Sequence, residues 1–157
     1  MPIRFPSLEF FQSLQEQMKQ ERDRFRQLGY FDTTFGVAVR DPSLPGGVWQ
    51  CVLSFEVFEC VGLKAADLSR ETVDFTLDGH LNVWVEMLRN IKQHGAADTA
   101  HTINTLTHFG EGLRCVYEDP DGHDKLYRFA ESVQEFFDLA AKVDVAFPEA
   151  ASAAAHA

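Results

Sequence analysis

Three histidines at seven-residue intervals are the residues whose type and spacing come closest to a metal-binding or catalytic pattern. They are His94, His101 and His108. On one helix, His101 and His108 would lie two turns apart, too far for both rings to reach one metal at bond lengths of about 2.0–2.1 Å. The i, i+4 spacing that lets two helical histidines share a metal is absent, and Gly95 should end the preceding helix. We therefore interpret these histidines as a polar face and expect no metal ion.

Acidic and nucleophilic side chains on predicted strands are weaker candidates for catalysis. Glu56 and Asp74 alternate with apolar neighbours, so their carboxylates are expected to face solvent; an inward-facing carboxylate could act as a general base. Ser54 and Cys60 lack the Gly-x-Ser-x-Gly surroundings of an activated nucleophile. The sequence contains neither a P-loop nor a Gly-x-Gly-x-x-Gly motif, and we expect no cofactor. These patterns make an enzyme the less favoured interpretation, and the question stays open at this point.

The composition favours an apolar ligand over a charged polymer. The chain has 157 residues, of which 45% are hydrophobic and 14 are phenylalanine. Bulky, stiff phenylalanine rings suit the wall of an apolar pocket as well as an ordinary core. The formal net charge of −10 should repel phosphate backbones, so no nucleic-acid partner is expected. No apolar run approaches the length of a membrane span, so the sequence does not predict an integral membrane protein.

The cysteine pattern predicts a reducing compartment. Cys51, Cys60 and Cys115 form no Cys-x-x-Cys pair, and their number is odd. Two of them fall on candidate strands, where a buried free thiol behaves as a small hydrophobe. The first twelve residues contain no long apolar segment, so we expect no signal peptide. Free thiols together with this amino-terminal sequence predict a cytoplasmic location.

Hydrophobic periodicity predicts a helix followed by three strands in the first half of the chain. The helix should cover residues 7–28, where apolar residues recur on one side. Two strands that alternate apolar and polar residues should form a hairpin with a turn at residues 41–47. Residues 64–70 are expected to be a connector with at most one helical turn. A third strand should cover residues 73–77, and Asp78-Gly79 is expected to end it.

The second half of the chain predicts two helices, a strand and a final helix. The first helix should begin near Leu81 and stop at Gly95, and the second should cover residues 98–108. A short strand is expected at residues 113–118, followed by a turn at 119–122. The final segments are a helix at residues 124–142 and a disordered tail at 149–157, with residues 1–148 forming one domain.

Strands grouped together with helices at their sides indicate an α+β fold. We predict an antiparallel sheet of about four to five strands, covered by amphipathic helices mainly on one face. This arrangement would leave several apolar helix faces to share one modest sheet.

Three stretches of the chain resemble the sterol-carrier-protein-2 (SCP2) family. They are residues 36–39 with 49–57 after a loop, residues 73–77 leading into 81–88, and residues 112–116 before 126–130. The resemblance covers roughly residues 33–142. It implies an α+β fold whose sheet and helices enclose an apolar tunnel for sterols, fatty acids or acyl chains.

Apolar residues at strand and helix spacing are the candidate walls of such a tunnel. Trp84 shares a helix face with Leu88 and Ile91, and Phe136 and Phe137 point inward from the last helix. Stripes of this kind also build ordinary cores, so the spacing alone does not separate the two roles. The candidate ligand-binding residues are Phe55, Phe75, Trp84, Leu88, Ile91, Ile103, Leu113, Phe129, Val133, Phe136 and Phe137.

Two other interpretations stay open at this point. An isomerase or hydratase on the cone-shaped fold of the nuclear-transport-factor-2-like group would also combine amino-terminal helices with a curved sheet. Alternatively, the long first helix could be the docking surface of an accessory subunit, and a homodimer is compatible with the sequence. An apolar small molecule remains the partner that the patterns favour.

Overall fold

The structure, a computed structural model, describes residues 2–108 and 112–148 of the chain. Its strands in chain order are β1 (Ile3–Arg4), β2 (Thr33–Arg40), β3 (Val48–Glu56), β4 (Glu59–Ala65), β5 (Phe75–His80), β6 (Arg114–Val116) and β7 (Val145–Ala146). Its helices are α1 (Leu8–Gln20), α2 (Arg22–Leu28), α3 (Leu81–His94), α4 (Ile103–His108), α5 (Pro120–Arg128) and α6 (Ala130–Asp138). Short 3-10 segments lie at Pro45–Gly47, Leu68–Arg70 and Leu139–Lys142.

Five of these strands form one sheet with the order β4-β3-β2-β5-β6. Neighbouring strands are antiparallel except for β2 and β5, which pair in parallel. The chain between β2 and β5 includes β3 and the edge strand β4, and it is the long connection that a parallel pair requires. The prediction of an α+β fold with a largely antiparallel sheet of four to five strands is confirmed.

The two faces of the sheet differ in composition and in cover. On the inner face, Phe35 of β2 lies beside Leu53 of β3 and Phe75 of β5. These three side chains are fully buried, because the apolar sides of the helices pack against this face. The outer face carries small and polar side chains, among them Gly36 and Thr76. The helices cover only one face because apolar and polar side chains alternate along each strand, which places the apolar ones on the same side of the sheet.

The predicted helix over residues 7–28 is two helices. Ser7 caps α1 as expected, since its hydroxyl accepts a hydrogen bond from the amide of Phe10 at 3.1 Å. The backbone leaves helical geometry at Glu21, with φ −105° and ψ 29°. Residues 19–24 are wholly polar, so no packing holds the helix straight there, and the break lets Phe25 of α2 reach the core, where it is fully buried.

Sequence periodicity missed β4, which fills the stretch between the second predicted strand and the predicted connector and overlaps that connector at residues 64 and 65. A register shift beside Phe55 places Cys60 opposite that residue and Leu63 opposite Leu53. The inward-facing residues of β4 are therefore three positions apart, which breaks the two-residue period of a regular strand. The turn before β4 also lacks a typical hairpin sequence. Val57 has a φ of 60°, a conformation that glycine, asparagine or aspartate usually provides in such turns.

Two further boundaries differ from prediction around the middle of the chain. The strand expected to end at Asp78-Gly79 continues to His80, because its pairing with β2 extends to His80 opposite Arg40. The helix expected at residues 98–108 is helical only from Ile103 onward. Before it, Asp98 accepts the amides of residues 100 and 101 and holds a turn instead.

The carboxyl-terminal third is more divided than predicted. The strand expected at residues 113–118 is limited to the three residues of β6. The turn expected at residues 119–122 is the start of α5: Asp119 caps the amide of residue 121, and Pro120 occupies the first turn. The single helix expected at residues 124–142 is interrupted at Phe129, with φ −108° and ψ 17°.

A short parallel pair of β1 and β7 was not predicted, because two residues per strand carry no periodic signal. It joins the amino-terminal segment to the chain after α6 through Ile3 and Val145. The predicted tail at residues 149–157 lies outside the described residues.

All three cysteines are free, with Cys51 and Cys60 buried and Cys115 half-buried. Burial raises the pKa of Cys60 and of Cys115 to about 11, and it raises the pKa of Cys51 as well. At pH 8 the native protein should therefore react slowly with a thiol reagent, because the thiolate is the reactive form. After denaturation, intact mass should show three labels. Recovery of one label only would reveal a disulfide and contradict the predicted cytoplasmic setting.

Candidate functional site

The structure brings the eleven candidate ligand-binding residues together between the sheet and the helices. Ten of them are buried, and Phe129 is half-buried against the same core. The strands contribute Phe55 and Phe75, while α3 and α6 contribute six residues from the opposite side. Those six are Trp84, Leu88, Ile91, Val133, Phe136 and Phe137. Ile103 of α4 and Leu113 before β6 are buried in the same core.

Aromatic rings dominate the centre of this region. We call it the aromatic layer and define it as Phe31, Phe35, Phe55, Phe75, Trp84, Phe136 and Phe137. On the sheet, Phe35 stacks between Phe55 and Phe75, with ring centroids 5.4 and 5.0 Å apart. From α6, Phe136 meets Phe55 edge-on at 5.0 Å. These are the offset and edge-to-face geometries that aromatic pairs prefer.

Trp84 connects the aromatic layer to the sheet backbone. Its indole Nε1 donates a hydrogen bond to the carbonyl oxygen of Ala38 at 3.1 Å, and both groups are buried. Its ring lies 5.5 Å from that of Phe137. The one polar atom of the side chain is therefore satisfied by the protein, and the rest of the indole presents an apolar surface.

Sequence reasoning left two members of the aromatic layer out of the site. Phe35 was assigned to a strand, and its shared face with Val37 could have placed it among the candidates. Phe31 stacks on Phe55 at 4.3 Å but precedes β2, where no periodic pattern applies. Only the fold shows that the turn after α2 carries this ring into the interior.

A narrow crevice opens between α4 and α5, at the edge of the buried region. Ile103 and Thr107 line it from α4, and Leu126 and Tyr127 line it from α5. At its rim, the His108 imidazole and the Tyr127 hydroxyl are hydrogen-bonded to each other. The crevice therefore has apolar walls and a polar rim, and Ile103 belongs to both the crevice and the core.

The two helices beside the crevice are held by few apolar side chains. In α4 the buried residue is Ile103, and in α5 the large buried side chain is Leu126. By comparison, α3 buries six apolar residues. Because local stability follows buried apolar contact, α4 should separate from its neighbours more readily than α3, whereas α5 is also tied to the sheet through Lys125 and Asp74.

The three histidines lie at separate places and differ in their surroundings. His94 is exposed at the end of α3, and His108 lies at the crevice. His101 is held between Asp98, whose carboxylate lies 2.6 Å from Nδ1, and Glu86, 3.2 Å from Nε2. The hydrogen bond to Asp98 is the main cause that raises the pKa of His101. Within residues 2–108 and 112–148, no three His, Cys, Asp or Glu side chains are grouped to hold a metal ion.

The two carboxylates considered for catalysis differ in exposure. Glu56 is exposed, as its position in the alternating pattern predicts. Asp74 is half-buried instead and accepts hydrogen bonds from the Thr33 hydroxyl, the Thr34 amide and the Lys125 ammonium group at 2.8, 2.9 and 3.1 Å. Burial opposes ionisation of Asp74, but these three donors outweigh it and lower its pKa. Asp74 therefore joins β2, β5 and α5 as a structural tie.

Comparison with known proteins relates the chain to sterol carrier proteins by structure. Neither a protein-family model nor a curated protein matches the sequence. A conserved hypothetical protein from Thermus thermophilus, described as a candidate sterol carrier protein, superposes with a TM-score of 0.64 and 18% identity over 88% of each chain. The crystal structure of sterol carrier protein 2 gives a TM-score of 0.61 and 18% identity, over 86% of this chain and 95% of that one.

These likenesses identify the fold. The protein has the SCP2-like α+β fold that the sequence resemblance implied. They favour that prediction over the cone-shaped alternative. Among the described helices, none combines the length and the apolar character needed to cross a membrane.

Proposed function

We propose that this protein binds an apolar small molecule, a sterol, a fatty acid or another acyl chain, between its helices and the inner face of its sheet. The observation that supports this most directly is the aromatic layer, whose seven large rings are nearly all fully buried at that place. Both structural neighbours are described as established or candidate sterol carrier proteins. None of the eleven candidate residues carries a charge, which suits a ligand recognised by its apolar surface.

The ligand reaches the aromatic layer by moving α4 away from α5, which stays tied to the sheet through the ion pair of Lys125 and Asp74. In the described conformation the rings are packed against one another, so an acyl chain has to displace side chains rather than fill an open space. The crevice between α4 and α5 marks the weakest part of the cover, because α4 buries Ile103 fully and packs Leu106 only partly against the core. Phe129, half-buried where α5 meets α6, precedes Ala130 of the crevice lining.

Affinity should increase with the length of the acyl chain until the interior is filled. Each buried methylene contributes about 0.8 kcal/mol, so four more methylenes should improve binding by about 3 kcal/mol before ordering costs reduce the gain. Titration with saturated fatty acids of increasing length, followed by tryptophan fluorescence, measures this. Because Trp84 is in the aromatic layer, Trp84→Phe should remove most of the signal, whereas calorimetry on the variant should still report binding.

A pair of valine variants separates binding in the interior from binding elsewhere. Val133→Ala enlarges the space beside the aromatic layer and should shift the preferred ligand toward longer chains. Val61→Ala is the matched control, since Val61 is 51% exposed on the edge strand β4, and it should leave the preference unchanged. Absence of micromolar binding by fatty acids, acyl-CoA and sterols alike would rule the proposal out.

A further inference from the structure

Three basic side chains surround one carboxylate on the outer face of the sheet, the face turned away from the helices. In the strand register, Arg40 of β2 pairs with His80 of β5, and Asp78 of β5 pairs with Arg114 of β6. Side chains in directly opposite positions of neighbouring strands lie about 4.5–5.5 Å apart at Cβ. The fold therefore gathers these four groups from three strands onto one patch.

One arginine of this patch is paired with the carboxylate, and the other is not. Arg40 binds Asp78 through Nε and Nη2, at 2.8 and 2.9 Å from the two carboxylate oxygens. Asp78 is buried, while the Arg40 side chain stays 49% exposed. Among the described residues, neither His80 nor Arg114 forms an ion pair. The patch is thus locally positive on a chain whose formal net charge is −10.

The patch lies in a groove with chemically distinct ends, which we call the outer groove. One end is a cavity of about 380 Å³ lined by Arg40, Asp78, His80 and Arg114. The other end is a cavity of about 340 Å³ that shares Arg40 and Asp78 and has mixed walls, with Glu71 and Glu118 among its polar residues and an apolar part beside them. Volumes of this size accommodate small molecules. The apolar walls are formed by Leu68, Val73, Val116 and Tyr117.

The apolar end is built by the segment after β4, which crosses the outer face. The Gln50 side chain accepts the amide of Leu68 at 3.1 Å. Leu68 can lie against the sheet because residue 36 is glycine: a Cβ there would be 2.7 Å from a Leu68 methyl group. Opposite this wall, Val116 and Tyr117 remain 40% and 44% exposed. Large apolar surface is thus left open beside a fixed cationic group.

We propose that the outer groove binds an amphipathic organic anion, with its carboxylate or phosphate at Arg40 and Arg114 and its apolar part along Leu68, Val116 and Tyr117. Guanidinium groups present several fixed donors that suit such oxygen pairs. Asp78 holds Arg40 in place and leaves its Nη1 available to the anion. This site is independent of the proposed interior function, because the sheet separates the two.

Octyl phosphate is the probe that tests this site, with octanol and inorganic phosphate as its two halves. Amide chemical shifts of the wild-type protein should change around Gly79, His80 and Val116 when octyl phosphate is added. Arg114→Gln should weaken binding about tenfold, the effect of losing one charged hydrogen bond. Arg89→Gln is the control, since Arg89 lies on the helical side over the Phe147 ring, and it should bind as the wild type does.

Two binding experiments distinguish a dissolved anion from a lipid headgroup in a membrane. Binding of free octyl phosphate that depends on Arg114 supports a dissolved amphipathic acid. Cosedimentation with phosphatidate vesicles that is lost in Arg114→Gln supports the same headgroup presented by a membrane. The proposal is overturned if octanol binds as tightly as octyl phosphate, if Arg114→Gln changes the result of neither experiment, or if the shifts are confined to α3 and α6. The last result would still agree with interior binding, so the two proposals fail separately.

Discussion

Replacing Trp84 with alanine should lower the free energy of unfolding by about 3–5 kcal/mol, the range for removing a large side chain from a core. Trp84 has no solvent exposure and contacts the ring of Phe137. Its loss also removes the buried hydrogen bond from the indole to the carbonyl of Ala38, which adds to the cost. Urea denaturation followed by far-ultraviolet circular dichroism measures the change.

Two companion variants separate the contributions to this effect. Trp84→Phe keeps most of the apolar volume but not the indole donor, so it should cost about 1–3 kcal/mol. Trp49→Ala is the control for loss of an indole, because Trp49 is only half-buried where it stacks on Phe11, and its cost should be clearly smaller. An equal loss in Trp84→Ala and Trp49→Ala would mean that Trp84 does not occupy the centre of the core.

Replacing Gly122 with alanine should destabilise the protein by about 1–3 kcal/mol or more, as overpacking does. Helix propensity alone predicts the opposite sign, since alanine is favoured over glycine by up to about 1 kcal/mol within a helix. A Cβ on Gly122 would lie 1.7 Å from the carbonyl oxygen of Asp74. Asp74 is held in turn by Thr33, Thr34 and Lys125, so its backbone cannot easily move away. Thermal and urea denaturation both test the sign.

Gly62→Ala is the matched glycine control. A Cβ on Gly62 would lie 3.3 Å from the Cβ of Ser54, a tight contact that a small adjustment of the edge strand β4 can relieve. Its effect should stay within about 1 kcal/mol. If Gly122→Ala were as stable as the wild type, the close approach of α5 to the start of β5 would be wrong.

Gly122 also shows where prediction from sequence reached its limit. The Asp119–Gly122 stretch has the composition of a turn, and local preference alone cannot show that Pro120 opens a helix packed against Asp74. The uninterrupted periodic segment α3 was predicted well, because it carries its own signal: it was expected from Leu81 to Gly95, and it ends at Gly95 as expected. The missed strand β4 had no such signal, since a bulge beside Phe55 disturbed its period.

The same distinction applies to the candidate sites. The residues of α3 and α6 that face the sheet could be chosen from helical spacing, and the structure gathers them in one region. The outer groove could not be predicted, because it depends on strand register: Arg40, Asp78 and Arg114 are far apart in sequence and meet only through the pairing of β2, β5 and β6.

The most direct test of interior binding is an isotope-filtered nuclear Overhauser measurement on the protein with ¹³C-labelled palmitate. We predict contacts from the palmitate methylenes to ring protons of Phe55, Trp84 and Phe136, because these rings belong to the aromatic layer between sheet and helices. Palmitate contacts confined to the outer face, at Leu68 and Tyr117, would contradict binding in the aromatic layer.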